Sequence, residues 1–144
     1  MYSIKAIIAA GAILAFVGPA AADTRQEFRD SMGRFQGSAT TDSYGRTTYR
    51  DAQGRTIGTA TKDSYGHVTF RDAQGRTKGT ATSDSYGRTI FRDAQGRTQG
   101  TSSASSYGTT IYRDAQGRTQ GTAQTSNGAI IYRDAQGRTK GTVR

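Results

Sequence analysis

Residues 49–59 read YRDAQGRTIGT, and residues 60–69, ATKDSYGHVT, carry the chain to the next copy. The core returns as FRDAQGRTKGT at 70–80, FRDAQGRTQGT at 91–101, YRDAQGRTQGT at 112–122 and YRDAQGRTKGT at 132–142. A divergent first copy, FRDSMGRFQGS, occupies 28–38. The aromatics are spaced by 21, 21, 21, 21 and 20 residues. A unit this short cannot bury a face alone, so an array gains stability by sharing surface between neighbours. A divergent end copy fits a cap.

Each period holds two turn signals. The first is Asp-x-x-Gly: Asp51 with Gly54, Asp72 with Gly75, Asp93 with Gly96, Asp114 with Gly117 and Asp134 with Gly137. Asp at the first turn position bonds backbone N–H groups ahead of it, and Gly takes the left-handed place of a bulged type I turn. The second is Ser-Tyr-Gly, at 43–45, 64–66, 85–87 and 106–108, replaced by Ser126-Asn127-Gly128 in the last spacer. Between the turns lie β-formers such as Val68-Thr69-Phe70 and Ile130-Ile131-Tyr132, with no helical apolar stripe. The fold expected is all-β, with tandem hairpins of about 21 residues forming a meander sheet or a β-solenoid.

The face arithmetic refines this. A bulged turn at Asp51–Gly54 pairs Tyr49 with Ile57 and Thr47 with Thr59, leaving Arg50, Thr48, Gly58 and Ala60 on the other face. An odd period would throw successive aromatics to opposite faces, because side chains alternate. A two-residue Tyr-Gly turn in each spacer restores one face. The 20-residue last period then needs the other loop length.

Composition pulls the other way. Over residues 23–144, Ile, Val and Phe number eleven of 122, or 9%, and there is no Leu or Trp. Charged chains below roughly 20% are usually disordered, so a largely disordered array is the alternative. The composition argues against a conventional globular enzyme with one large core. The phased glycines and aspartates argue for order, since a disordered linker has no need of them.

Residues 1–22 read as a secretory signal peptide. Lys5 supplies the positive start, an apolar stretch runs to Val17, Gly18-Pro19 breaks it, and Ala20-Ala21-Ala22 forms the cleavage site. About 12 apolar residues fall short of the roughly 20 that span a bilayer. The expected domains are the leader, 1–22, and a six-copy array, 23–144, secreted or periplasmic, with no transmembrane segment after processing.

No convergent catalytic set is present. The chain has no cysteine, and its one histidine, His67, stands where Arg46 and Arg88 stand in other copies. Asp-x-x-Gly lacks the dense oxygen ligands of a calcium loop, and no Cys/His cluster supports zinc. The sequence predicts no enzyme, no metal and no cofactor. The arginines are the functional signal: Arg50, Arg71, Arg92, Arg113 and Arg133 follow the aromatics, and Arg55, Arg76, Arg97, Arg118 and Arg138 follow the turn glycines. One Asp cannot neutralise both, and residues 23–144 keep a net charge of +8, from 19 Lys and Arg against 11 acids. A ladder of guanidinium groups beside tyrosines suits an acidic polysaccharide, lipopolysaccharide or another polyanion. Self-association through open sheet edges, as a fibre or surface layer, is the alternative.

The core [FY]-R-D-x-x-G-R-T-x-G resembles the short β-hairpin repeats of secreted bacterial proteins. It is similar to the YD-type repeats of Rhs proteins, which read Tyr-Asp-x-x-Gly-Arg, with an Arg inserted between aromatic and Asp. It also resembles choline-binding wall repeats, although without Trp the choline cage does not carry over. Curli-type amyloids use exported repeats of similar length, but the repeated Gln of this chain falls in the turn. The resemblance implies architecture and compartment.

Overall fold

The structure, a computed structural model, describes residues 24–144. The leader expected over residues 1–22 lies outside the described residues. Twelve strands follow one another: β1 (Thr24–Asp30), β2 (Phe35–Thr41), β3 (Arg46–Asp51), β4 (Thr56–Lys62), β5 (Val68–Asp72), β6 (Thr77–Ser83), β7 (Arg88–Asp93), β8 (Thr98–Ala104), β9 (Thr109–Asp114), β10 (Thr119–Ser126), β11 (Ala129–Asp134) and β12 (Thr139–Val143). Each pairs antiparallel with the next, and β1 pairs with β12 to close a barrel. The meander is therefore present, but it neither lies open nor coils as a solenoid. Strand and tight turn alternate through the described residues, in place of the disordered alternative.

One turn serves almost everywhere. The Asp51 N–H donates to the Arg55 carbonyl at 2.9 Å, and the Gly54 N–H returns to the Asp51 carbonyl at 3.0 Å. Gly54 sits at φ +80°, where a Cβ would be strained. The spacer turns repeat this scheme: Asp42 N–H bonds Arg46 O at 2.9 Å and Gly45 N–H bonds Asp42 O at 3.0 Å. The expected two-residue Tyr-Gly turn is thus corrected, because Asp42, Asp63 and Asp84 belong to it and make it a second Asp-x-x-Gly. A two-residue loop joins β10 to β11, where Ser126 pairs with Ala129 across Asn127 (φ 49°) and Gly128 (φ 74°). Two left-handed residues in succession make a type I′ turn, and this shorter loop accommodates the 20-residue spacing.

A second correction concerns the faces. Arg50 pairs with Thr56, but Tyr49 pairs with Gly58 and Thr47 with Ala60. Ile57 is an extra residue, a β-bulge. The same slip recurs at Lys78, Gln99, Gln120 and Lys140, and at Gln36 in the first hairpin. One bulge per hairpin resets the alternation, so Gly58 and Ala60 share the face of Tyr49, while Thr59 joins Arg50 and Thr48 outside. Ile57 still packs half-buried against the core.

The core follows from this register. Tyr49 lies between Ala39 and Gly58, Phe70 between Ala60 and Gly79, and Phe91 between Ala81 and Gly100. Tyr112 lies between Ser102 and Gly121, and Tyr132 between Ala123 and Gly141. Each ring covers two small neighbours, so one aromatic per hairpin closes the interior; Tyr49 is only 2% exposed. The small residue is obligatory on one side. A Cβ on Gly58 would come within 2.5 Å of the Arg71 carbonyl oxygen of β5. The barrel seam is the shortest ladder, with Phe28, Arg29 and Asp30 facing Val143, Thr142 and Gly141. It is extended by reciprocal backbone bonds between Glu27 and Arg144 at 2.7 and 3.1 Å. Closure pairs both outer strands within the chain, so the edges that self-association would use are occupied.

Candidate functional site

The hairpin turns form two rims. At the first, Asp51 Oδ1 accepts the N–H of Gln53 at 3.0 Å and of Arg55 at 2.9 Å, while Oδ2 accepts Arg55 Nε at 2.8 Å. Asp93, Asp114 and Asp134 bind Arg97, Arg118 and Arg138 in the same way, at 2.7 or 2.8 Å. Arg76 is looser, 3.9 Å from Asp72. Burial opposes ionisation of Asp51, Asp93, Asp114 and Asp134; the N–H and guanidinium of each following arginine outweigh it and hold these carboxyls below 3.8. The arginines after the turn glycines are thus committed to the turns.

The arginines after the aromatics stand apart. Alternation sends them outward while the neighbouring ring goes inward. Arg50 Nη1 donates to the Gly54 carbonyl at 3.1 Å, and Arg71 Nη1 to the Gly75 carbonyl at 3.2 Å. Arg113 Nη1 reaches Ser103 Oγ at 3.4 Å. Among the described residues, Arg50, Arg71, Arg92, Arg113 and Arg133 make no ion pair, whereas Arg29 of the first copy binds Glu27 at 3.1 Å. Each lies beside a wall hydroxyl: Arg50 faces Ser38, Arg71 Thr59, Arg92 Thr80, Arg113 Thr101 and Arg133 Thr122. Neighbouring strands lie about 4.8 Å apart, so arginines on alternate strands stand about 10 Å apart across the wall. The result is a belt of uncompensated positive charge around the outside, near the first rim.

No family model and no curated protein sequence matches the chain. Among solved structures it is similar to BamB from Moraxella catarrhalis, with a TM-score of 0.33 and 12% sequence identity. That likeness covers 75% of this chain, which spans 55% of the length of the other.

The tyrosines divide differently from the expectation. Tyr49, Tyr112 and Tyr132 are inside, so the arginine beside each in sequence lies across the wall from it. Burial pushes the Tyr112 hydroxyl up to about 12 and raises Tyr49 and Tyr132 as well, with Tyr132 also raised by Tyr112 and Tyr49. The exposed tyrosines are Tyr44, Tyr65, Tyr86 and Tyr107, 84–91% accessible at the second rim. Arginine and tyrosine therefore do not form one ladder. His67 is on this second rim, with Nδ1 3.2 Å from Asp63 Oδ2. Among the described residues no cluster of His, Cys, Asp or Glu could hold a metal ion.

Sequence reasoning missed the interior of the first rim. There the barrel opens as a cavity of about 1340 Å³, with Tyr49, Phe70 and Phe91 on its walls and Lys78 and Gln99 at its mouth. The bulge aims these last two side chains, and the only signal for it was the glycine that follows each one.

Proposed function

We propose that this chain is an exported, non-enzymatic binding protein that holds a polyanionic polymer of the cell surface or matrix against its outer wall. The polymer is an acidic polysaccharide or the phosphorylated part of lipopolysaccharide. Arg50, Arg71, Arg92, Arg113 and Arg133 make the contacts. The observation that carries this reading is that these five outward arginines have no carboxylate partner among the described residues. Repeated at equal intervals, they match a ligand whose charges also repeat, and guanidinium groups bind carboxylate and phosphate by paired hydrogen bonds. Arg55, Arg76, Arg97, Arg118 and Arg138 add to the field while their Nε atoms serve the turns. Export rests on the leader read in residues 1–22. The wall is threonine and arginine, and strands of five to eight residues are shorter than the 9–11 or so of a bilayer-crossing strand, which supports a polymer-facing barrel.

The test is retention on a heparin or lipopolysaccharide column, with release by salt as screening takes effect. The protein should be retained at low salt. Passage through the column at low salt would contradict the reading.

A further inference from the structure

Copies two to six of the core agree at nine of eleven positions and differ only at the first and the ninth. The first position is the buried ring. The ninth is the bulge residue: Ile57, Lys78, Gln99, Gln120 or Lys140. The ring faces the lumen, and the bulge residue stands at the rim that opens into it. Ile57 packs on the core, Lys78 and Gln99 line the cavity, and Gln120 Nε2 donates to Asp114 Oδ2 at 3.1 Å. Lys140 Nζ lies 3.4 Å from Asp134 Oδ2.

This inverts the usual order. Ala52 and Gln53 are exposed at a turn tip, where substitution costs little, yet they are repeated unchanged in all five copies. Drift among duplicated copies would reach such tips first, as it reaches the spacer turns at the second rim. Within the eleven-residue core, divergence falls only at the ring and the bulge, and Lys78 and Gln99 put it where a ligand entering the mouth would meet it. Phe70 and Phe91 lie with Lys78 and Gln99 on one arc, and Tyr112 and Tyr132 lie with Gln120 and Lys140 on the other.

We propose that this mouth binds one anionic sugar unit, a uronic acid or a sugar phosphate. Lys78 meets the anion, and it has no ion pair among the described residues. The Gln99 amide, held by Asp93 Oδ2 at 3.1 Å, meets the hydroxyls. Such an amide–carboxylate pair offers a fixed donor and acceptor, which is what a polyol needs. At about 1340 Å³ the cavity has room for such a unit, exceeding the roughly 300–1,000 Å³ of ordinary small-molecule sites. Two belt arginines, Arg71 and Arg92, reach the edge of this cavity, whereas Arg50, Arg113 and Arg133 do not line it.

The experiment is a titration of glucuronate, glucose 6-phosphate and glucose into the intact protein, followed by the backbone amide resonances of Gly79 and Gly100. Both anionic sugars should give saturable shifts. Glucose should bind about tenfold more weakly, the equivalent of one charged contact. The exposed substitution Lys78→Gln should weaken the anionic sugars about tenfold. Ile57→Lys should tighten them. A belt variant with Arg50, Arg113 and Arg133, the three that do not line the cavity, changed to Gln should bind them unchanged. The proposal is overturned by unsaturable shifts, by equal affinity for glucose, by indifference to Lys78→Gln, or by loss of binding in the belt variant. The two anions separate a carboxylate preference from a phosphate preference.

Discussion

At the first rim, Asp93 caps two backbone N–H groups, binds Arg97 Nε at 2.8 Å and takes Gln99 Nε2 at 3.1 Å. At the second rim, Asp84 caps the N–H groups of Tyr86 and Arg88, both at 2.9 Å, and stops there. The backbone turn is the same. The first rim adds a bulge to every hairpin and a close-packed glycine to five of the six, and its sequence is nearly constant. The second tolerates Ser105 in place of Asp and a two-residue loop at Asn127–Gly128. A reversal that only returns the chain can drift; one that also sets which face points inward cannot.

The sharpest way to break this comparison is to add one methyl group at each rim. Gly58→Ala forces a Cβ against the Arg71 carbonyl and should cost about 3 kcal/mol. Gly66→Ala meets nothing within 4 Å and should cost only the left-handed strain, about 1 kcal/mol. Denaturant titration measures both, and equal costs would mean that the bulge does not hold the register.

Acid offers the next test. Asp51, Asp93, Asp114 and Asp134 have folded values below their ordinary 3.8. Their contribution is therefore complete above pH 3.8 and is lost as pH falls through the folded values. Melting temperature should drop on that acid side, and changing all four to Asn should flatten the drop. Changing Asp42 and Asp63, also lowered at the second rim, should flatten it less, because fewer groups are removed. The smallest effect is a repair. Ser105 Oγ accepts the N–H groups of Tyr107 and Thr109 at 3.4 Å, longer than any Asp in its place. Ser105→Asp should stabilise by about 0.5 kcal/mol, read as a raised denaturation midpoint.

The hairpins, their number and the turn residues of the first rim were legible because each is a local choice of Asp, Gly and β-formers; the part played by Asp42, Asp63 and Asp84 in the spacer turns was not. Closure was not, since it depends on how six coiled hairpins bring β1 to β12. The faces failed on one residue per hairpin. Ile57 looks like any strand position, and only the contact between Gly58 and the next strand shows that the ladder slips there. The thin composition misled for a related reason: a ring flanked by Ala and Gly needs no further aliphatic partner. Of the site, the arginines were legible as excess charge. Their division into paired and unpaired ranks was not, because it depends on which side of the wall each one leaves.

That division is the central claim, and two variants test it directly. One changes Arg50, Arg71, Arg92, Arg113 and Arg133 to Gln; the other changes Arg55, Arg76, Arg97, Arg118 and Arg138. Each removes the same charge. Heparin affinity measured across a salt series should collapse and lose its salt dependence in the first, while the second keeps most of its binding and loses thermal stability instead. Equal loss of binding in both would show that net charge alone attracts the polymer, and would contradict the belt.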